Sequence, residues 1–301
     1  MGSKMKHPAG NFCWFELGTS DQNAAKEFYT GLFGWRFNDA PLPPEMGGVY
    51  TTLLNSDEEV GAMYQLGPQH QGAPPHWMPY VSVDSADATA AKVTELGGEL
   101  LFPPFDVMDF GRMAAFKDPT GAALSIWQSK THFGADLVNE TGAACWGELA
   151  TTDVKKAGAF YSSLFGWSLK ESSGGMPYTE FSNQGQAIGG MMPMDGPQFQ
   201  GVPPHWTIYF AVEDCDAAAE KAKGLGATMC HPPTDIAEHR SLRRDPGPAG
   251  RGLFNLPILA TCLNETADQC GCDGCQRIIR TDQSHLRKSV VDSGKLIFRA
   301  P

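Results

Sequence analysis

One stretch of this sequence occurs twice, and that repetition limits the fold more than any other feature. Cys13-Trp14-Phe15-Glu16-Leu17 is followed by Thr19, Asp21, Phe28-Tyr29 and Leu32-Phe33-Gly34-Trp35. The same order returns 132 residues later as Cys145-Trp146-Gly147-Glu148-Leu149, Thr151, Asp153, Phe160-Tyr161 and Leu164-Phe165-Gly166-Trp167. Further along the offset is 129, and Pro74-Pro75-His76-Trp77 returns as Pro203-Pro204-His205-Trp206. A tandem duplication of a module of roughly 115–130 residues, a common domain size, accounts for this.

Within the first module, Phe12 to Leu17 reads as an aromatic-rich strand. Thr19 to Asp21 supply N-cap types, and Ala25, Phe28, Tyr29, Leu32 and Phe33 recur at helical spacing up to Gly34, a C-terminal stop. Strands follow at 35–37, 49–54, 60–65 and 77–83, then a helix over 86–96, and strands over 111–117 and 122–128. Asp118-Pro119-Thr120-Gly121 suits a type I turn between the last two. The expected class is α+β, each module being βαβββ followed by βαβββ, with the halves pairing into a cupped mixed sheet. The expected boundaries are 11–130 for the first module, 131–142 for a linker and 143–239 for the second module.

From Arg240 the repeat fails. Of ten arginines, only Arg36 and Arg112 precede residue 240, whereas all seven tryptophans do. Codons permitted for RSLRRDPGPAGRGLFNLP, read one base later, give GRFAVIRDPQGAVYSIYQ. That string matches GRMAAFKDPTGAALSIWQ of the first module at ten of eighteen positions. We therefore read an inserted base near codon 240. Residues 240–301 would then be an out-of-frame, poorly ordered tail, and the second module would lack its last two strands. In the tail, Cys270, Cys272 and Cys275 with Cys262 and His285 suggest zinc, but zinc modules show spaced CxxC pairs and here one CxxC stands alone in out-of-frame sequence, so the zinc reading is the lesser one.

Net charge is −11, which argues against a nucleic-acid surface. No run reaches the roughly 18–20 apolar residues of a membrane span, and the first residues show no secretory pattern. A small-molecule partner, a cytoplasmic location and a monomer or homodimer are expected.

Glu16 and Glu148 stand mid-strand among apolar residues, where a carboxylate is expensive unless paired, ligated or catalytic. Trp14 and Glu16 share a strand face, as do Trp146 and Glu148. The alternative is a solvated outer-face glutamate. His76 and His205 follow Pro-Pro and read either as acid/base or ligand contacts, or as packing histidines.

Thr-x-Asp before a helix carrying Phe-Tyr and ending Leu-Phe-Gly-Trp, together with Asp-Pro-Thr-Gly-Ala, resembles the vicinal oxygen chelate superfamily. That superfamily contains glyoxalases, bleomycin-resistance proteins and extradiol dioxygenases. The likeness covers residues 11–239 and is nearest to two-module actinobacterial proteins of glyoxalase or hydroxylase type. The resemblance implies a ligand held on the concave face of the sheet. It also implies three metal-ligand slots, and these carry Trp14, Met78 and Ser125 here.

Two functions remain open. The first is a metal-independent binder of a small aromatic or planar molecule. Trp14, Trp146, Trp77, Trp206, Tyr80, Tyr209 and Met78 would contact the ligand, and Glu16, Glu148, His76 and His205 would supply the polar or catalytic groups. The second is a lyase or oxygenase with a divalent metal displaced onto His76 and Glu16. A frame-damaged, non-functional chain is the third alternative.

Overall fold

The computed structural model describes residues 6–43, 47–70, 73–172 and 177–227, and the backbone alone of 234–235, 254–257 and 279–280. The first module runs β1 (Phe12–Thr19), α1 (Gln22–Phe33), β2 (Arg36–Pro41), β3 (Val49–Asn55) and β4 (Glu58–Gln65). It continues with β5 (His76–Ser82), α2 (Ala86–Glu95), β6 (Glu99–Val107), β7 (Gly111–Lys117) and β8 (Ala123–Ser129). Its eight strands lie in the order β2-β3-β4-β1-β5-β8-β7-β6. The two βαβββ units thus meet along β1 and β5, which pair antiparallel.

The predicted caps hold. The Asp21 side chain accepts from the Ala24 amide, and Gly34 closes α1 in the left-handed conformation at φ 73°. The second copy does the same in α3 (Val154–Phe165), with Asp153 accepting from Lys156 and Gly166 at φ 78°. Only a residue without Cβ takes that backbone without strain, which is why both helices stop where they do.

The second module repeats the plan through β9 (Ala144–Thr151), α3, β10 (Ser168–Glu171), β11 (Thr179–Asn183) and β12 (Gln186–Pro193). It goes on to β13 (His205–Val212) and α4 (Cys215–Gly224). Three short strands follow, β14 (Thr234–Asp235), β15 (Phe254–Pro257) and β16 (Ile279–Arg280). Here the repeat breaks. β8 runs parallel to β5, but β15, in the matching place beside β13, runs antiparallel. Residues 240–253, where the repeat of β7 should fall, lie outside the described residues, as does most of the tail expected to be poorly ordered.

The helix-side faces of both sheets share one core. Phe33 and Trp35 each lie 5.5 Å from Phe210 of the second module, and Phe12 lies 5.7 Å from Trp167. The indole of Trp35 donates to the Gly142 carbonyl at 2.8 Å, and that of Trp167 donates to the Gly10 carbonyl at 2.7 Å. Tyr161 of α3 reaches the buried Asp118 of the β7–β8 turn at 2.9 Å. The other carboxylate oxygen of Asp118 accepts the amides of Thr120, Gly121 and Ala122, which fixes the expected turn.

Candidate functional site

Strand alternation sends Phe15 and Leu17 into the shared core, and Trp14 and Glu16 to the opposite, open face of the first sheet. Pairing with β5 sets Tyr80 beside Trp14 and Met78 beside Glu16. Ser125 of β8 lies beside Tyr80, and Trp127 lies beside both Ser82 and Met113 of β7. A separate apolar cluster forms there around Trp14, Tyr80 and Trp127, with Tyr50, Met78 and Met113 packed against it.

Glu16 is the polar centre of this cup. Tyr50 donates to its Oε1 and Tyr80 to its Oε2, each at 2.7 Å. The Trp14 indole donates to the Tyr50 hydroxyl at 3.1 Å, completing a chain of four side chains. Burial pushes the Glu16 carboxyl above its ordinary range, against the two phenol hydrogen bonds that favour its ionised form. Burial first, and the Glu16 charge second, hold the phenols of Tyr50 and Tyr80 well above the usual tyrosine range. Both therefore remain hydrogen-bond donors at any physiological pH.

The linker closes one end of the cup. Ala135 donates to the Cys13 carbonyl, where β1 bulges, and Asp136 donates to Glu59, both at 2.7 Å. Gly134 takes φ 107°, and a Cβ there would come 2.2 Å from the Cys13 carbonyl oxygen, so only glycine allows this approach. His132 then meets Trp14 edge-on at 4.8 Å, and its Nε2 lies 3.0 Å from Glu59.

The far wall is apolar and open. Phe102 and Phe105 of β6 face the same side as their partners Ala115 and Met113 and are 54% and 44% exposed. Exposed apolar patches of this kind mark partner, membrane or ligand surfaces.

The second cup repeats the centre. Tyr209 donates to Glu148 at 2.8 Å, and the Trp146 indole donates to the Tyr178 hydroxyl at 2.9 Å. Glu148 is buried, whereas Glu16 retains exposed surface. Thr207 stands beside Glu148 where Met78 stands beside Glu16.

The structure thus brings together Trp14, Glu16, Met78 and Tyr80 in one cup, and Trp146, Glu148 and Tyr209 in the other. His76 lies on the open face beside Gly18, and His205 beside Ala150. Each directs Nδ1 to the carbonyl of the proline two residues earlier at 2.9 Å, and burial lowers both pKa values. Two expected ligand contacts are corrected. Trp77 and Trp206 point to the helix side, where their indoles donate to Tyr29 and Tyr161 at 3.0 and 3.1 Å. Each is one residue out of phase with the open face, so they build core. Tyr50, Phe102, Phe105, Met113, Trp127 and His132 were missed. Strand alternation from Ser125 would have found Trp127; nothing local marks Tyr50.

The three slots where a divalent metal would be held carry an indole, a thioether and a hydroxyl, on Trp14, Met78 and Ser125. That is a poor donor set for a divalent cation, which prefers imidazole and carboxylate. Among the described residues, no group of three His, Cys, Asp or Glu side chains is placed to hold a metal ion.

Paired βαβββ units forming a cup, duplicated in tandem with helices between the sheets, define a class of small-molecule-binding proteins. The chain belongs to the Glyoxalase/Bleomycin resistance protein/Dioxygenase superfamily, whose sequence model matches residues 11–126 and 138–247. It is 42% identical over 239 residues to CFP32 of Mycobacterium tuberculosis, named as a candidate glyoxylase, covering 78% of this chain and 90% of that one. It is 35% identical over 260 residues to the anthracycline biosynthesis protein DnrV of Streptomyces peucetius, covering 81% and 92%. The fold matches a Mn(II)-bound glyoxalase from Novosphingobium aromaticivorans at TM-score 0.55 and 14% identity, over 84% of this chain and 79% of that one. It also matches the 2,3-dioxygenase LapB from Pseudomonas sp. KL28 at TM-score 0.54 and 11% identity, over 84% and 90%.

Proposed function

We propose that this chain binds a small, planar aromatic molecule in the first cup, with no metal at the family's three ligand slots. The observation that carries the reading is the open row of Phe102 and Phe105 facing the same cup as Trp14, Tyr80 and Glu16. A flat ligand would lie on this apolar face, where Trp14, Tyr80 and Trp127 offer ring surface and Glu16 the polar contact. The likeness to DnrV supports this, because anthracyclines are planar fused-ring molecules.

The test is a fluorescence titration with an anthracycline, which is itself fluorescent, against the full chain. Saturable quenching is expected, with Phe105→Ala weakening affinity about tenfold, or about 1.4 kcal/mol, for loss of one aromatic contact. A titration showing no saturable change would overturn the reading. The lyase or oxygenase alternative needs a metal held elsewhere, and His76 and Glu16 offer only two of the donors such a site requires.

A further inference from the structure

Resting on that binding reading, we propose that the first cup is also a metal-free proton-transfer site, in which Glu16 interconverts keto and enol forms of a planar cyclic ketone. Glu16 is not itself one of the three metal-ligand slots, although Trp14 and Met78 stand beside it.

The geometry supplies each part. Each Glu16 oxygen accepts one phenol, which leaves a lone pair on each for a ligand. Glu16 keeps exposed surface on the open face, so a ligand lying on that face beside Trp14 and Tyr80 can reach it. Tyr50 and Tyr80 flank the carboxylate, and their hydroxyls can turn to an oxygen that gains charge beside it. Trp14, Met78 and Trp127 set apolar surface around the carboxylate, which lowers the local dielectric and strengthens those hydrogen bonds.

The step balances without a co-reactant. The Glu16 carboxylate takes a proton from the carbon next to the ligand carbonyl, breaking a C–H bond. The electron pair moves to the carbonyl oxygen, which Tyr50 or Tyr80 holds by a hydrogen bond. Glu16 then delivers the proton to that oxygen, forming an O–H bond and leaving the carboxylate as it began. A carboxyl shifted upward by burial is better matched to neutral pH as a base than an ordinary glutamate.

The probe is 2-tetralone in D2O, with exchange of its α-protons followed by NMR in the presence of the full chain. 2-Naphthol, the fully aromatic hydroxyl form, measures uptake separately by its own fluorescence. Exchange is expected to be catalysed, to rise through a single ionisation above the ordinary carboxylate range, and to fall about 100-fold in Glu16→Gln. If Glu16→Gln does not fold, the pH profile of the unmodified chain still decides, because no ionisation in that range means no such base. A chain that takes up 2-naphthol but does not speed exchange overturns proton transfer and leaves the binding reading standing. A folded Glu16→Gln variant with undiminished exchange also overturns it. A chain that takes up neither 2-naphthol nor the anthracycline overturns both readings.

Discussion

The Trp35 indole ends on the Gly142 carbonyl at the entrance to the second module, and 132 residues later the Trp167 indole ends on Gly10 at the entrance to the first. Each copy of the duplicated sequence therefore anchors the other. Trp35→Phe and Trp167→Phe each leave a buried carbonyl without that donor and are expected to cost about 1–3 kcal/mol. Urea unfolding measures this. Because the two modules share one core, each variant should shift a single transition; two separated transitions would show modules that unfold independently.

The pH dependence of stability has a definite sign at the histidines. Burial lowers His76 and His205 below the ordinary 6.5. The unfolded chain then binds more protons than the folded one as pH drops below 6.5, so stability falls there and levels off below the folded values. Replacing both by Gln should flatten that limb in thermal melts taken across the acid range. An unchanged slope would mean that other groups set it.

Glu16 acts in the opposite direction. Its folded pKa is raised above 4.5, so the folded chain holds a proton that the unfolded chain has released. Stability contributed by the protonated form is present below 4.5 and is lost as pH rises through the folded value. Glu16→Gln should remove this decline above 4.5 in melts of the variant beside the unmodified chain. If the decline persists, the shift belongs to another carboxyl.

The reversed direction of β15 beside β13, against β8 beside β5, bears on the frame change read near codon 240. Sequencing the encoding DNA should find the second frame. A chain carrying GRFAVIRDPQGAVYSIYQ after residue 239 is expected to melt higher, because it regains an Asp-Pro turn where the first module has Asp118. An equal or lower melting temperature would count against the restored frame.

Metal content separates the remaining alternative. Native mass spectrometry of the purified chain is expected to show no stoichiometric divalent ion, since Trp14, Met78 and Ser125 occupy the ligand slots. A bound ion that His76→Ala removes would revive the displaced site.

Much of this architecture was legible because duplication prints the same signals twice. The Asp caps, the glycine stops and the helical spacing of Phe28, Tyr29 and Leu32 are local, and each was read correctly. Glu16 stood out because a mid-strand carboxylate demands a partner. Tyr80 reads as a ligand contact, but neither it nor Tyr50 reads as a partner of Glu16, because they arrive from 64 and 34 residues away, through sheet order rather than proximity in sequence. Trp77 misled for a related reason: an aromatic in a site-rich stretch attracts a functional reading, but strand phase sends it to the core. No strand is read over Phe102 and Phe105 from sequence, because bulges on either side of Phe102 break the alternation that would mark β6.

β6 is the outer strand of its sheet, carries exposed aromatics, and has Pro103 and Pro104 between Phe102 and Phe105. A bare strand edge of this kind ordinarily recruits a neighbour through its free amides. Two consecutive prolines have none to offer, and they interrupt the edge at the point where it is stickiest. The chain can therefore keep an oily wall open to water, because the backbone beneath that wall is a poor template for cross-β assembly.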